Sequence, residues 1–322
     1  MSTNAAINPR PTTYHHPILI WLLLILHLCL TACTTNPPIV TATPTTLSPT
    51  AQPTAVIPTP TLWTNPTLPP PTSHSTTAPT RSPDTGWQPV ATGMEYRIWS
   101  VGTHGAPLQP LPNGDLPRPW DTLYAIRWHP DQYQIDIHYR PGDPLTLAQW
   151  QTETDALLIF NGGFFTPENI ATGRIIYQGV GSGLSYGANA GMLTIDHQGM
   201  ANLRWLGAEP YRADESLWAG LQSFPMLVKP GGVVGYTEPS LSPARRTVLA
   251  RDMNGRWLVI ATTRQRFTLA HLSQYLTTSD LNLDIALNLD GGSSTALLLQ
   301  EPQLAIPPFT RLPIIITVNP HP

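Results

Sequence analysis

Cysteine is the first scarcity in this chain. The 322 residues contain two, Cys29 and Cys33, and both lie within the first 33 positions. Residues 34–322 therefore have no thiol, which excludes a disulfide framework, a cysteine nucleophile and cysteine-ligated zinc from that part. Charge is also sparse. Charged residues make up 11% of the chain, the formal net charge is −3, and no basic stripe runs along it. That argues against a nucleic-acid partner. Long apolar runs are missing as well. The longest, residues 18–30, is shorter than the roughly 20 residues a spanning helix needs, and no later run approaches that length. No His-rich spacing suggests zinc, and no metal-binding motif is present.

The short apolar run has a different reading. Arg10, His15 and His16 precede Ile18–Leu30 as a weakly basic leader, and Leu30-Thr31-Ala32-Cys33 follows. A basic n-region, a short h-region and small residues before a cysteine resemble a secretion signal ending in a bacterial lipobox. The expectation is a signal over 1–32, cleavage before Cys33, and a lipid on Cys33 that anchors the protein to the bacterial membrane with its domain on the extracytoplasmic side. Residues 33–84 are rich in Pro, Thr, Ser and Ala. Such a stretch buries too little surface to offset the entropy of ordering, so it reads as a disordered tether. Residues 85–322 are long enough for one sizeable core.

Within that domain short apolar runs alternate with Gly, Pro and Asn punctuation. Gly93–Ser100 reads as a first strand with Met94, Tyr96 and Ile98 inward. Leu123–Trp128 and Gln134–Tyr139 read as strands around a hairpin-like break at His129-Pro130-Asp131. Leu145–Thr152 reads as a short helix. Leu221–Val228 reads as a strand that Pro225 confines to an edge or a bulge. Ala244–Ala250 and Trp257–Ala261 read as antiparallel strands joined at Asn254-Gly255, a strong hairpin signal. Thr268–Thr277 is the clearest helix, capped by Thr268 with Leu269, Leu272 and Leu276 on one face. The expected fold is α+β: a single domain of mainly antiparallel sheet with a few packed helices.

Two stretches share one construction. Ala156-Leu157-Leu158-Ile159-Phe160 runs into Asn161-Gly162-Gly163-Phe164-Phe165, and Ala286-Leu287-Asn288-Leu289 runs into Asp290-Gly291-Gly292-Ser293-Ser294-Thr295. In each an apolar strand ends in an amide or an acid followed by two glycines, which can take positive φ or let backbone approach a ligand. Loops leaving a sheet are where sites are usually placed. An acid at the mouth of a core needs partners or a task, and Asp290 is the leading candidate. Tight Asx turns are the plain alternative for both stretches. The glycines between 173 and 191 lack the lysine and helix of a nucleotide loop and suit a flap or irregular surface. Gly181-Ser182-Gly183 does not make a serine-hydrolase elbow.

Asn-Gly-Gly-Phe-Phe at 161–165, Arg246-Thr247 and Asn-Leu-Asp-Gly-Gly-Ser-Ser at 288–294, in that order, resemble the phosphodiester glycosidase domain family over roughly residues 90–319. The resemblance implies hydrolysis of a sugar-1-phosphodiester at its glycosidic bond, releasing a sugar and a phosphomonoester. It implies catalytic roles for Asp290, Asn161 and Arg246, and substrate contacts from Gly162, Gly163, Gly291, Gly292, Ser293, Ser294, Thr247 and Ser223. Arginine's rigid fork suits phosphate oxygens, and a carboxylate suits the anomeric centre. Arg245 is the alternative inward arginine, because neighbours on a strand face opposite ways. Asp284 is a candidate second carboxylate. Asp290, Asn288 and Asn161 are hard oxygen donors that would suit a structural calcium ion; no other cofactor is implied. The substrate would be a carbohydrate phosphodiester of the cell envelope. The contrasting reading is a non-catalytic lipoprotein that binds envelope glycan or wall polymer through the same pocket. This chain follows Asp290 with two glycines where many family members have three.

Overall fold

Short apolar segments broken by turn residues give eighteen strands, two α-helices and one 3-10 turn in the computed structural model, counted among the described residues. Those residues are 84–100, 122–239, 242–265 and 267–322, all within one compact unit, Ser75–Pro322. The signal, Cys33 and most of the tether lie outside them.

The chain opens with β1 (Gln88–Ala91), β2 (Met94–Ser100), β3 (Thr122–Trp128) and β4 (Tyr133–Tyr139), then α1 (Leu147–Thr154) and β5 (Leu158–Asn161). Next come β6 (Ile175–Tyr177), β7 (Val180–Ser182), β8 (Gly191–Ile195), β9 (Ala201–Trp205) and β10 (Ala219–Ser223). They are followed by β11 (Met226–Lys229), β12 (Val233–Val234), β13 (Thr247–Asp252) and β14 (Trp257–Thr262). The last elements are α2 (Leu269–Thr278), β15 (Leu283–Asn288), the 3-10 turn Gly292–Ser294, β16 (Leu297–Leu299), β17 (Leu304–Ile306) and β18 (Ile314–Pro320).

Three antiparallel sheets result. The largest has the order β1-β2-β3-β14-β13-β15-β11-β12; the others run β7-β6-β10-β8-β9 and β17-β16-β5-β18-β4. One core joins all three, with Ile126, Val259 and Leu287 from the first, Ile175, Leu193 and Leu221 from the second, and Ile137, Phe160 and Ile316 from the third. Burying such a side chain is worth about 1.5–3 kcal/mol, so this shared layer dominates stability. Helix α2 covers the other face of the large sheet through Leu272, Tyr275 and Leu276, and its Thr268 cap accepts from the His271 N–H at 3.2 Å. Helix α1 packs Trp150 against Ile159 and Ile315. With so little helix, the fold is mainly β rather than α+β, which corrects the sequence expectation.

Several local expectations change for physical reasons. His129-Pro130-Asp131 does not join hairpin partners, because β3 pairs with β2 and β14 while β4 pairs with β18. Pro225 does not mark an edge either, although the bulge alternative has a counterpart beside it, a register shift of β11 against β15 between Met226 and Val228. The segment Leu221–Val228 splits at Phe224-Pro225, leaving β10 in the middle of the five-stranded sheet and β11 in the large one. A missing N–H is harmless at a crossing point between ladders. On β2 the residues Arg97 and Trp99 are buried, whereas Ile98 is only half-buried. Arg97 tolerates this because Asp84 and Asp280 both hold its guanidinium, at 2.8 and 3.0 Å. The expected hairpin at Asn254-Gly255 is present, with β13 and β14 paired from Thr247↔Ala261 to Arg251↔Trp257 and Gly255 at φ +79°.

Candidate active site

The two Gly-Gly turns meet. β5 and β15 belong to different sheets, and each ends at its turn. The Asp290 N–H donates to the Gly162 carbonyl at 3.1 Å, and the Asn161 amide donates back to the Asp290 carbonyl at 2.7 Å. The glycines are required by crowding. A Cβ on Gly162 would lie 2.4 Å from the Ile314 side chain, and one on Gly291 would lie 2.6 Å from the Arg245 carbonyl oxygen. Gly292 has open space but a φ of +61°, a region that disfavours side chains.

Asn161 holds this junction together. It is buried, and its Oδ1 accepts from the Thr247 hydroxyl at 2.7 Å and from the Ala296 N–H at 2.9 Å. Its Nδ2 reaches the Asp290 and Gly162 carbonyls. Asn161 is thus a strut between three turns, and Thr247, fully buried, is its partner rather than a free hydroxyl for substrate. The oxygens suggested for calcium are not free together, since Asn161 Oδ1 is already doubly occupied. Among the described residues no group of three or more His, Cys, Asp or Glu is arranged to hold a metal ion.

Asp290 sits at the rim of the junction. Its Oδ1 accepts from the Gly291 N–H at 2.8 Å. Burial pushes its carboxyl above the usual aspartate range, while hydrogen bonds from Ser294 and the Gly291 N–H pull the other way. No other carboxylate and no arginine contributes to that shift. Asp284 is occupied elsewhere, accepting from the Gly231 N–H at 2.7 Å. Ser294 is buried behind Asp290, and Ser293 is exposed. The N–H groups of Gly162, Gly291 and Gly292 are all taken, the first by Ile314 and the last by the Arg245 carbonyl. They do not form an open anion hole.

The arginines divide as strand alternation requires. Arg245 is buried, donates to the Thr295 and Pro307 carbonyls, and lies 4.6 Å from the Phe309 ring centroid. Arg246 is half-buried and donates to the Phe267 carbonyl through Nε at 3.2 Å and to the Ser242 carbonyl at 3.1 Å. Its Nη1 has no hydrogen bond among the described residues. Ser223 is sealed in the core with its hydroxyl unpartnered.

Sequence reasoning missed the other wall of the site. The glycine-rich stretch is a hairpin, β6–β7, and Gln222 fastens the loop after it by accepting from the Tyr186 N–H at 2.7 Å. The Tyr186 hydroxyl meets the Thr172 hydroxyl at 2.5 Å. Burial, assisted by the charge of Asp290, raises the Tyr186 phenol. Nothing in the local sequence marks Thr172, Tyr186 or Gln222, whose meeting depends on strand register between β6 and β10.

Residues 154–312, which contain both turns and Arg246-Thr247, match the phosphodiester glycosidase family model. No curated protein is matched by sequence. Among solved structures, the catalytic domain of zebrafish N-acetylglucosamine-1-phosphodiester alpha-N-acetylglucosaminidase, auto-inhibited by its pro-peptide, aligns with a TM-score of 0.55 at 16% identity. The alignment covers 72% of this chain and 84% of that one. A hypothetical protein from Synechocystis aligns at TM-score 0.49 and 15% identity, over 71% and 62%. Over residues 154–312, then, this chain is similar to the phosphodiester glycosidase family.

Proposed function

We propose that this protein hydrolyses a sugar-1-phosphodiester of the cell envelope, with Asp290 as the base that activates water at the anomeric carbon. One observation carries the reading: at the junction of the two Gly-Gly turns stands a half-buried carboxyl whose Oδ1 accepts from the Gly291 N–H at 2.8 Å. The water oxygen bonds to the anomeric carbon, its proton passes to Asp290, and the carbon–oxygen bond to phosphate breaks. The leaving oxygen stays on the phosphomonoester as an anion. A phosphate leaves far more readily than an alkoxide, so a second carboxylic acid is dispensable here. Ordinary glycosidases instead use two carboxyl groups. Arg246, with Nη1 open, supplies positive charge to the phosphate. Its backbone borders the turn, the Arg246 Cα lying 3.8 Å from where a Gly291 Cβ would stand.

The test is to incubate the purified protein with a panel of sugar-1-phosphodiesters and quantify free sugar and phosphomonoester separately. Equimolar release of both supports the reading. Release of a sugar phosphate instead would place the cut on the other side of phosphorus and overturn it.

The pH profile follows from the direction of the Asp290 shift. If the ionised carboxylate is the working form, kcat/KM rises with pH through the folded-state pKa, and the raised value moves this limb above the ordinary aspartate range. An Asp290-dependent loss of activity on raising the pH would instead assign it as an acid. Stability runs the opposite way: the contribution from the raised group is fully present below the unfolded-state pKa and is lost as pH rises through the folded one.

The location proposed for the reaction rests on the sequence of the leader. Lipid on Cys33 and a tether to about residue 84 would hold the domain outside the membrane. Cys33→Ser should move the protein from the membrane fraction to the soluble fraction or leave an uncleaved precursor. Processed, membrane-bound Cys33→Ser protein would rule out the lipid anchor.

A further inference from the structure

We infer that Phe164, Tyr186 and Phe224 form a stacking wall for the glycosyl ring of the substrate, with the Asn189 amide reading a ring hydroxyl. This rests on the activity proposed above and assigns the sugar side of that site. Phe224 packs against both of the other rings. The Phe164 and Phe224 centroids are 5.0 Å apart, tilted by 39°, and Tyr186 meets Phe224 edge-on at 5.1 Å. Phe224 is nonetheless 43% exposed, so an aromatic face remains open to solvent beside the catalytic turn.

That face is rigidly supplied. The Phe224 carbonyl accepts from the Asn288 amide at 2.9 Å, two residues before Asp290. Tyr186 is fixed at both ends, by Gln222 on its N–H and by Thr172 on its hydroxyl. An ordered aromatic surface loses little freedom on binding.

The adjoining cavity decides which part of the substrate it takes. It measures about 320 Å³ and is lined by Tyr186, Phe224 and the segment 187–190. Small-molecule sites span roughly 300–1,000 Å³, so this one suits a single sugar rather than an oligosaccharide. None of its lining residues is charged, which disfavours the phosphate. The exposed side-chain amide of Asn189 has no hydrogen bond among the described residues and offers both a donor and an acceptor. An apolar ring face plus a neutral amide matches a pyranose, which presents C–H groups on one face and hydroxyls at its edge.

The deciding experiment measures binding of free sugars, N-acetylglucosamine and a set of neutral hexoses, by calorimetry to the full-length protein and to its Phe224→Ala, Phe224→Tyr, Asn189→Ala and Asp290→Asn variants. At least one sugar should bind the wild type. Phe224→Ala should weaken it about tenfold, and Phe224→Tyr should restore it. Asn189→Ala, at an exposed position, should weaken it without altering folding. Competition by the phosphomonoester product should be unchanged in Phe224→Ala. Absence of sugar binding to the wild type, or unchanged binding in Phe224→Ala, overturns the proposal. So does a phosphomonoester affinity that falls as much as that of the sugar, because the wall would then serve the aglycone. Sugar binding is read without turnover, so a failure of Asp290 as the catalytic base leaves this result independent.

Discussion

Asp290→Asn should lower kcat/KM for a sugar-1-phosphodiester by about 10³-fold while leaving the melting temperature unchanged or slightly higher. The substitution is nearly isosteric. Its side-chain oxygen can still accept from the Gly291 N–H, which lies 2.8 Å from Oδ1 in the parent protein, so the turn need not move. What disappears is the group that takes the proton from water. Positioned acids and bases typically contribute about 10²–10⁴-fold. Stability should not fall, because burial disfavours the ionised carboxyl and an amide removes that charge. Steady-state kinetics with separate product quantification, alongside a thermal melt, make the comparison. Turnover within tenfold of the parent would exclude Asp290 as the base. A collapse of the melt would show that the residue is structural.

Both Gly-Gly turns are visible in the sequence because each is written within a few residues: an amide or acid ending an apolar strand, then residues without Cβ. The crowding that requires those glycines is not local, since it comes from Ile314 at Gly162 and from the Arg245 carbonyl at Gly291. The Asn254-Gly255 hairpin and the Thr268-capped helix are legible for the same reason, since short-range chemistry determines them. Sheet membership is not local. A proline in an apolar run gives the same signal at an edge as at a crossing between sheets, and only the pairing of β10 with β8 and of β11 with β15 separates the cases. The burial of Arg97 in place of Ile98 depends on Asp84 and Asp280, the latter 183 residues away. The division of labour inside the site is equally hidden. The sequence presents Asn161 as catalytic and Thr247 as a substrate contact, yet they satisfy one another. Tyr186 and Thr172 belong to no motif and still meet across the site.

That internal satisfaction makes Asn161 the residue whose loss should damage the fold most. Asn161→Ala should destabilise the domain by about 3–5 kcal/mol. The truncation leaves the Thr247 hydroxyl, the Ala296 N–H and the Asp290 carbonyl without the partner that now holds each at 2.7–2.9 Å. A buried polar group left unpaired costs about 1–3 kcal/mol, and some of these groups will find weaker substitutes as the turns relax. At roughly 2–4 °C per kcal/mol for a domain of this size, the melting temperature should drop by about 6–20 °C. Activity should fall as well, because the same amide ties Asp290 to β5. Asn161→Asp discriminates between roles. It keeps the acceptor oxygen shared by Thr247 and Ala296 but loses the donor to the Asp290 carbonyl and adds a buried charge, so a strut predicts a large stability loss there too. A residue that acts on substrate would instead lose turnover with its melt intact, and that pattern in both variants would return Asn161 to the catalytic machinery.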